Sequence, residues 1–221
     1  LWYFARIEAP GLNLAGASMP GLPGMVMGQN QHIAWGFTNT GPDVQDTYLE
    51  RIKPDDATQY QTPDGWARFE TRQELIKVKG EPDVQLTVRA TRHGPVLSDA
   101  VGSGLGDEPK GTLGAKDKPA YAVALRWTGL DVDTDIMAAT LAMNAADSVD
   151  AFLRASATWV APMQNMAVAD TAGHIALTSP GRVPQRKPEN DLYGLAPAPG
   201  WDARDDWDGF LPASALPQLR D

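Results

Sequence analysis

The chain has 221 residues, no cysteine and a formal net charge of −9 at pH 7. This acidic balance argues against a nucleic-acid partner, which is recognised by clustered positive charge. No apolar run approaches the roughly 20 residues of a membrane-spanning helix, so no membrane partner is expected. The absence of cysteine excludes thiol catalysis, disulfides and cysteine-type zinc sites.

The N-terminal residues are predicted to form two short strands. The first runs from Leu1 to Glu8, a turn follows at Pro10-Gly11, and the second strand continues through Leu14. The adjacent aromatics at residues 2–4 favour a strand that is buried on both faces, as part of the core.

The stretch from residue 20 to residue 50, PGLPGMVMGQNQHIAWGFTNTGPDVQDTYLE, carries the densest pattern in the chain. Two Pro-Gly turns precede the apolar runs Met25 to Met27 and His32 to Phe37, which predict a hairpin inside a buried sheet. The residues from Thr38 to Pro42 are expected to end the second strand. A loop that follows a buried strand and is rich in carboxylates is typical of a functional site.

Residues 44–119 are predicted to form an all-β insertion between two parts of a core, residues 1–43 and residues 120–221. Period-two alternation, as in Gln85 to Arg89, is typical of sheets with one solvent-exposed face. The segment from Ala100 to Pro119 is rich in glycine and charge and is predicted to be an exposed loop.

The second half is predicted to place two helices between strands. The first helix, Ile136 to Met143, is capped by Thr134 or Asp135, and the second, Val149 to Thr158, by Asp147 or Ser148. Helices between strands predict packing of helices on a sheet. The acidic residues 131, 133 and 135 fail the EF-hand pattern and are interpreted as a solvated lead-in to the first helix.

A hairpin with a turn at residues 170–173 is predicted after these helices, between strands at Gln164 to Ala169 and His174 to Thr178. From Pro180 onward the chain is rich in proline and is predicted to wrap irregularly over the surface.

Three blocks of this sequence resemble the penicillin acylase family. The first is PGxPGxxxGxNxxIAWGxTNxxxDxxDxYxE at residues 20–50. The second is Pro162, Gln164, Asn165, Ala169, Asp170, Gly173 and Ile175, and the third is Pro199-Gly200-Trp201, Trp207, Gly209 and Leu211-Pro212. His93-Gly94-Pro95-Val96 is similar to a further turn of the family.

The family consists of N-terminal-nucleophile amide hydrolases, which include cephalosporin and acyl-homoserine-lactone acylases. The resemblance implies an α+β fold, a partial αββα sandwich with the all-β insertion. It also implies cleavage of a small-molecule acyl amide to a carboxylic acid and a free amine through an acyl-enzyme. The family is typically periplasmic, so that localisation is expected by resemblance.

In the family, a serine at the start of the β-subunit supplies both the nucleophile and the basic amine. This chain begins with Leu1 and is similar to a segment inside that subunit. We therefore expect it to act with the α-subunit and the rest of the β-subunit, and to be inactive alone. Exposed sheet edges would then allow self-association. The alternatives are a non-catalytic domain that binds acyl ligands or peptides, and a structural β-rich module.

The resemblance also implies roles for individual residues. Asn39 corresponds to the position whose backbone N–H stabilises the oxyanion, although an asparagine here is also a common turn residue. The positions that match the acyl pocket are Met27, Phe37, Leu141 and Gln164, and the alternative is that these are ordinary core residues.

Calcium is the one cofactor that the resemblance suggests, with no organic cofactor. Its ligands would be the side chains of Asp43 and Asp46 with the backbone carbonyls of Gln45 and Leu192. A solvated acidic loop is the alternative. The three histidines match no G-x-S-x-G or HExxH pattern and are interpreted as structural.

Overall fold

A computed structural model describes residues 2–101 and 120–221, so the predicted loop from Ala100 to Pro119 lies almost entirely outside the described residues. The chain forms two compact units. The first consists of Leu1–Asp43, Asp131–Pro184 and Phe210–Asp221, and the second of Val44–Leu130 and Gln185–Gly209. In the described ranges, no helix is long and apolar enough to cross a membrane.

Strands dominate the described residues. In chain order they are β1 (Tyr3–Ala9), β2 (Leu12–Ser18), β3 (Met27–Gln29), β4 (Ile33–Asn39), β5 (Gln45–Lys53), β6 (Asp56–Thr62), β7 (Gly65–Arg68), β8 (Glu70–Ile76), β9 (Val84–Thr91), β10 (Gly94–Pro95), β11 (Tyr121–Trp127), β12 (Gln164–Asp170), β13 (Ile175–Thr178), β14 (Pro184–Arg186), β15 (Ala198–Pro199), β16 (Trp207–Phe210) and β17 (Gln218–Arg220). The α-helices are α1 (Ser98–Val101), α2 (Ile136–Asn144) and α3 (Val149–Ser156), and short 3-10 turns occur at Thr128–Leu130, Ala203–Asp205 and Ala213–Ala215.

The first unit is built on one seven-stranded antiparallel sheet in the order β1-β2-β3-β4-β12-β13-β17. One face packs against α2 and α3, through a core that includes Trp35, Met143, Phe152 and Met166. The opposite face is open and bears small and apolar side chains, because alternate residues of each strand point to opposite faces. Ala34, Gly36, Ala167, Ile175 and Leu177 lie on that open face.

Two of the sheets lie wholly within the second unit. One has the order β11-β5-β6-β7, with β15 added in parallel to β5, and the other has the order β10-β9-β8. Ile52, Tyr60, Phe69, Val96 and Ala122 form its apolar core.

The helices agree with the sequence prediction to within two residues. The Asp135 carboxylate accepts a hydrogen bond from the Ala138 N–H at the start of α2, and the Ser148 hydroxyl accepts one from the Ala151 N–H at the start of α3. The capping residues are therefore among those predicted, and both helices pack on the sheet as expected.

Two local predictions are wrong. The aromatics of β1 are not core, since Phe4 is 88% exposed, because β1 is the edge strand of its sheet. β4 also continues through Thr38 to Asn39, because β12 pairs with it along its full length.

The prediction of a solvated side chain is also wrong for Asp131. Its side chain is 8% exposed, and one carboxylate oxygen lies 2.8 Å from a guanidinium nitrogen of Arg182. A partner 51 residues away in the sequence makes this burial possible, because a carboxylate is buried only when it is paired.

The two units divide the second half of the chain differently from the predicted boundary at residue 119. β11 pairs with β5 from Tyr121 to Trp127 and so lies in the second unit, as do residues 185–209. The C-terminal region is also less irregular than predicted, since β17 extends the seven-stranded sheet.

Candidate functional site

The motif around residues 20–30 folds against the C-terminal end of α2 through two asparagines. The Asn144 side chain accepts a hydrogen bond from the Met25 N–H at 2.6 Å and donates one to the Met25 carbonyl at 2.9 Å. The Asn30 amide donates to the carbonyls of Asn144 and Ala146, which are left without helical partners at the helix end. The backbone of Met25 is therefore held in one position against the helix.

Gly24 makes this close approach possible. Its φ is +96°, and a Cβ atom at this position would lie 2.6 Å from the Asn144 side-chain oxygen. Both the backbone conformation and the space therefore require glycine.

A cavity of about 390 Å³ opens beside this contact, between the sheet and α2. Its lining is mostly apolar and includes Phe37, Trp159, Met25, Met137 and Met143. The size and the apolar lining are typical of a small-molecule site, which commonly measures about 300–1,000 Å³.

The polar edge of the cavity is formed by Gln164, which is paired in register with Asn39. The Gln164 amide donates to the Met163 carbonyl at 2.8 Å and to the Asn39 side-chain oxygen at 3.3 Å. Because both partners accept, the amide nitrogen faces them and the Gln164 oxygen is left as an acceptor. The structure therefore brings three of the predicted site residues, Asn39, Phe37 and Gln164, to one region.

The other two predicted pocket residues do not line this cavity. Met27 pairs with Ala17, while its neighbour Gly28 pairs with Trp35 on the helix-covered face. By strand alternation Met27 points to the open face, away from Phe37. Leu141 is on α2 but is 50% exposed and lies outside the lining.

The sequence prediction missed Trp159 and the methionines of α2. The Trp159 indole donates to the Pro162 carbonyl at 2.7 Å, and its ring packs edge-on against Phe37 with centroids 6.2 Å apart. On α2 the lining residues Ile136, Thr140 and Met143 have the three- and four-residue spacing of one helix face. That spacing does not single out this face, because Met137, Leu141 and Asn144 are spaced in the same way.

Asp46, one of the four predicted calcium ligands, is buried and paired. Asp46 is 4% exposed, and its two carboxylate oxygens accept hydrogen bonds from Arg186 at 2.7 and 3.1 Å. The Trp207 indole also donates to Asp46, at 2.6 Å. A cation could reach Asp46 only if Arg186 moved away, so this donor set does not fit calcium as it stands. Leu192, through its N–H, bonds the Asn190 side chain.

In the sequence, Asp43 ends the first segment of the first unit, and Gln45 begins β5 in the second unit. Among the residues described, no three histidine or carboxylate side chains form a group that could hold a metal ion. Calcium binding by Asp43, Gln45, Asp46 and Leu192 stays a prediction.

A second polar cluster lies inside the second unit, around the His93-Gly94-Pro95-Val96 turn. Glu50 is fully buried and lies 2.7 Å from His93 Nδ1, while Asp206 lies 3.0 Å from His93 Nε2. Arg92 pairs with both oxygens of Asp206 at 2.8 Å. The His93 ring also stacks on Tyr48 with centroids 3.6 Å apart.

The pKa values in this cluster follow from burial and pairing. Burial raises the pKa of Asp206, but hydrogen bonds from His93 and Arg92 outweigh it and lower the pKa to about 2. Burial raises the pKa of its neighbour Asp205, whose Oδ1 atom is buried without a hydrogen-bond partner among the described residues. In the same ranges, the rings of His93 and His174 contact carboxylates. A structural role for the three histidines stays a prediction.

Comparison with known proteins places these features in one family. The Penicillin amidase family matches residues 1–221. The acyl-homoserine lactone acylase QuiP of Pseudomonas fluorescens is 34% identical over 221 residues, which are all of this chain and 25% of the relative. Penicillin acylase 2 proenzyme of Pseudomonas sp. is 30% identical over 218 residues, which are 95% of this chain and 24% of that protein.

A solved structure agrees. The thermostable penicillin G acylase from Alcaligenes faecalis is 28% identical, with a TM-score of 0.80 over 100% of this chain and 36% of that one. The chain spans about a quarter of the length of the curated relatives that it matches. It belongs to the penicillin amidase family.

Proposed function

We propose that this chain is the part of an acylase that holds the acyl group of an amide substrate and stabilises the oxyanion formed at its carbonyl. The observation that carries the proposal is the apolar cavity whose polar edge is Gln164, the residue paired in register with Asn39. An acyl amide has the same division, an apolar chain that ends in a polar carbonyl. The enzyme would release a carboxylic acid and a free amine.

The chemistry requires a nucleophile, an oxyanion donor and a bound acyl group. In this proposal the nucleophile is a serine outside this chain, at the start of the β-subunit. A backbone N–H at the last residue of a strand is held in place before reaction, which suits it to oxyanion stabilisation. Asn39 ends β4 in this way, next to the residue that edges the cavity.

The open face of the seven-stranded sheet supports the proposed αββα sandwich. Ile175 is 58% and Leu177 is 39% exposed there, among small residues of β4 and β12. Exposed apolar sheet faces of this kind pack against a second sheet. We assign that second sheet to other segments of the acylase, and a periplasmic location is proposed on the family resemblance alone.

The test removes the backbone N–H of residue 39 in the complete acylase. Asn39→Pro lacks the N–H, and the extended backbone of Thr38 tolerates a following proline. We expect kcat to fall about 100- to 1,000-fold, as for loss of other oxyanion donors. The control Asn39→Ala keeps the N–H and should retain kcat within about tenfold.

Equal activity of the two variants would overturn the oxyanion role. The isolated chain should not hydrolyse a chromogenic acyl anilide, and turnover by it would show that the nucleophile lies within this chain. A complete protein that binds acyl amides without hydrolysing them would favour the non-catalytic binding domain.

A further inference from the structure

The Asp46 carboxylate is held by three N–H groups inside the second unit. The Arg186 guanidinium donates to Oδ1 through Nη2 at 2.7 Å and to Oδ2 through Nε at 3.1 Å, and the Trp207 indole donates to Oδ2 at 2.6 Å. The side chains of Asp46 and Arg186 are 4% and 12% exposed, respectively. Both charges are therefore largely buried, and each compensates the other.

A second arginine adds to the positive charge around this carboxylate. Arg126 lies opposite Asp46 in the register of β11 and β5, and its guanidinium carbon lies 4.8 Å from the centre of the Trp207 ring. An indole face attracts a cation placed over it in this way. Asp46 therefore has one arginine on its carboxylate and a second on the neighbouring strand. Because like charges repel, this environment disfavours a further cation.

A calcium ion would need a different set of atoms around Asp46. Calcium binds about six to eight oxygen atoms at about 2.3–2.6 Å, and an N–H group cannot be a ligand because it offers no lone pair. The planar fork of arginine, by contrast, matches both oxygens of one carboxylate. The ion and the Arg186 guanidinium would therefore compete for the same two oxygens of Asp46.

We propose that Arg186 is the built-in counter-ion of Asp46 and takes the place of a calcium ion there, so that no metal binds this carboxylate. The covalently attached charge joins the start of β5 to residues 186–207 at every calcium concentration. This part of the second unit therefore keeps its structure when calcium is removed. The inference does not depend on the proposed acylase function.

The first test uses terbium, which substitutes for calcium in proteins and emits light when a nearby indole is excited. A terbium ion bound by Asp46 would lie beside the Trp207 indole, which donates to the same carboxylate. In the complete acylase, freed of metal with a chelator, Trp207→Phe should therefore leave the terbium emission unchanged from wild type. A loss of emission in this variant would place the ion at Asp46 and overturn the proposal.

The second test removes the built-in charge. Arg186→Gln leaves the buried Asp46 carboxylate without its cation, so the affinity for terbium, followed by tryptophan-excited emission, should rise at least about tenfold. The double variant Arg186→Gln with Trp207→Phe is the control and should lose this emission. Arg186→Lys keeps the charge and should behave as wild type. No rise in Arg186→Gln, or a rise that persists in the double variant, contradicts the role of Arg186.

A third measurement needs no variant, because hydrogen exchange reports local opening of the backbone. In the wild-type complete acylase, removal of calcium with a chelator should leave amide exchange along β5, Gln45–Lys53, unchanged within about twofold. The calcium prediction requires the opposite result, an acceleration of about tenfold or more at the start of β5, because a bound ion stabilises the strand that carries its ligands. Such an acceleration overturns the proposal, and unchanged exchange supports it.

Discussion

The two units differ in the side chains that their interiors bury, which are mainly apolar around the cavity of the first unit and polar or charged in a cluster of the second. The first unit has an apolar core whose buried amide, Asn144, is fully paired with backbone groups, and it leaves a cavity beside that core. The second unit buries Glu50 and His93 and connects them to the partly exposed Asp206–Arg92 pair in one cluster. Apolar contacts are not directional and tolerate an exchange of partners, whereas buried charges need one specific geometry. The first interior therefore has the space in which we propose that a ligand binds, whereas the second holds its segments through specific polar contacts.

The charged cluster also explains a motif that has no part in the proposed site. A side chain at Gly200 would collide with the buried Oε2 atom of Glu50. The Gly200 carbonyl accepts a hydrogen bond from Arg92 at 2.9 Å. The glycine of the Pro-Gly-Trp block is therefore required by packing against Glu50.

The largest effect is expected from breaking the cluster. His93→Phe keeps an aromatic ring on Tyr48 but leaves Glu50 and Asp206 without the imidazole, so it should lower the free energy of unfolding by about 3–5 kcal/mol. The measurement is urea denaturation at neutral pH. His174→Phe is the matched control, since its side chain is 51% exposed beside Asp170, and it should change stability by less than about 1 kcal/mol. Similar losses in both variants would contradict the special role of the buried cluster.

Two adjacent acids should respond to pH in opposite directions. The folded pKa of Asp206 is lowered to about 2, so its contribution to stability is present above the unfolded pKa and is lost as the pH falls from about 4 to about 2. Asp206→Asn should therefore lose about 2 kcal/mol at neutral pH, and the difference from wild type should vanish near pH 2.

For Asp205 the expected change of stability with pH has the opposite sign, because burial raises its folded pKa and disfavours its ionised form. Asp205→Asn should be more stable than wild type at neutral pH, and this advantage should shrink as the pH falls through the raised folded pKa and be gone below the unfolded pKa. Urea denaturation of both variants between neutral and acidic pH checks the pair. Two variants that shift in the same direction at neutral pH would contradict the assignment.

A smaller difference in stability is expected between alanine variants at two glycines of the first unit. Gly24 and Gly21 have φ values of +96° and +91°, but only the Cβ of an alanine at Gly24 would meet Asn144, since nothing lies within 4 Å of one at Gly21. Both alanine variants should be destabilised by about 1 kcal/mol from the backbone, and Gly24→Ala by about 1–2 kcal/mol more from the lost Asn144 contact. Thermal unfolding measures the difference, and equal melting temperatures would show that the Asn144 contact adapts.

Much of the local structure could be predicted from the sequence. The helix caps at Asp135 and Ser148 and the hairpin at Asp170–Gly173 follow from residue types within a few positions of one another. Asn39 and Gln164 could also be named in advance, because each lies inside a motif of the family. Their mutual register, and the side-chain hydrogen bond between them, could not.

The sequence by itself determined the family, the main strands and helices, and the residue types at the edge of the cavity, because these depend on patterns within short stretches. Only the tertiary structure decided that Met27 faces the open side of the sheet, that Leu141 lies outside the cavity and that Met143 lines it. It also decided that Asp46 meets Arg186, 140 residues away in the sequence. Strand register and the pairing of distant charges depend on how all segments pack together, and a local sequence pattern does not contain that information.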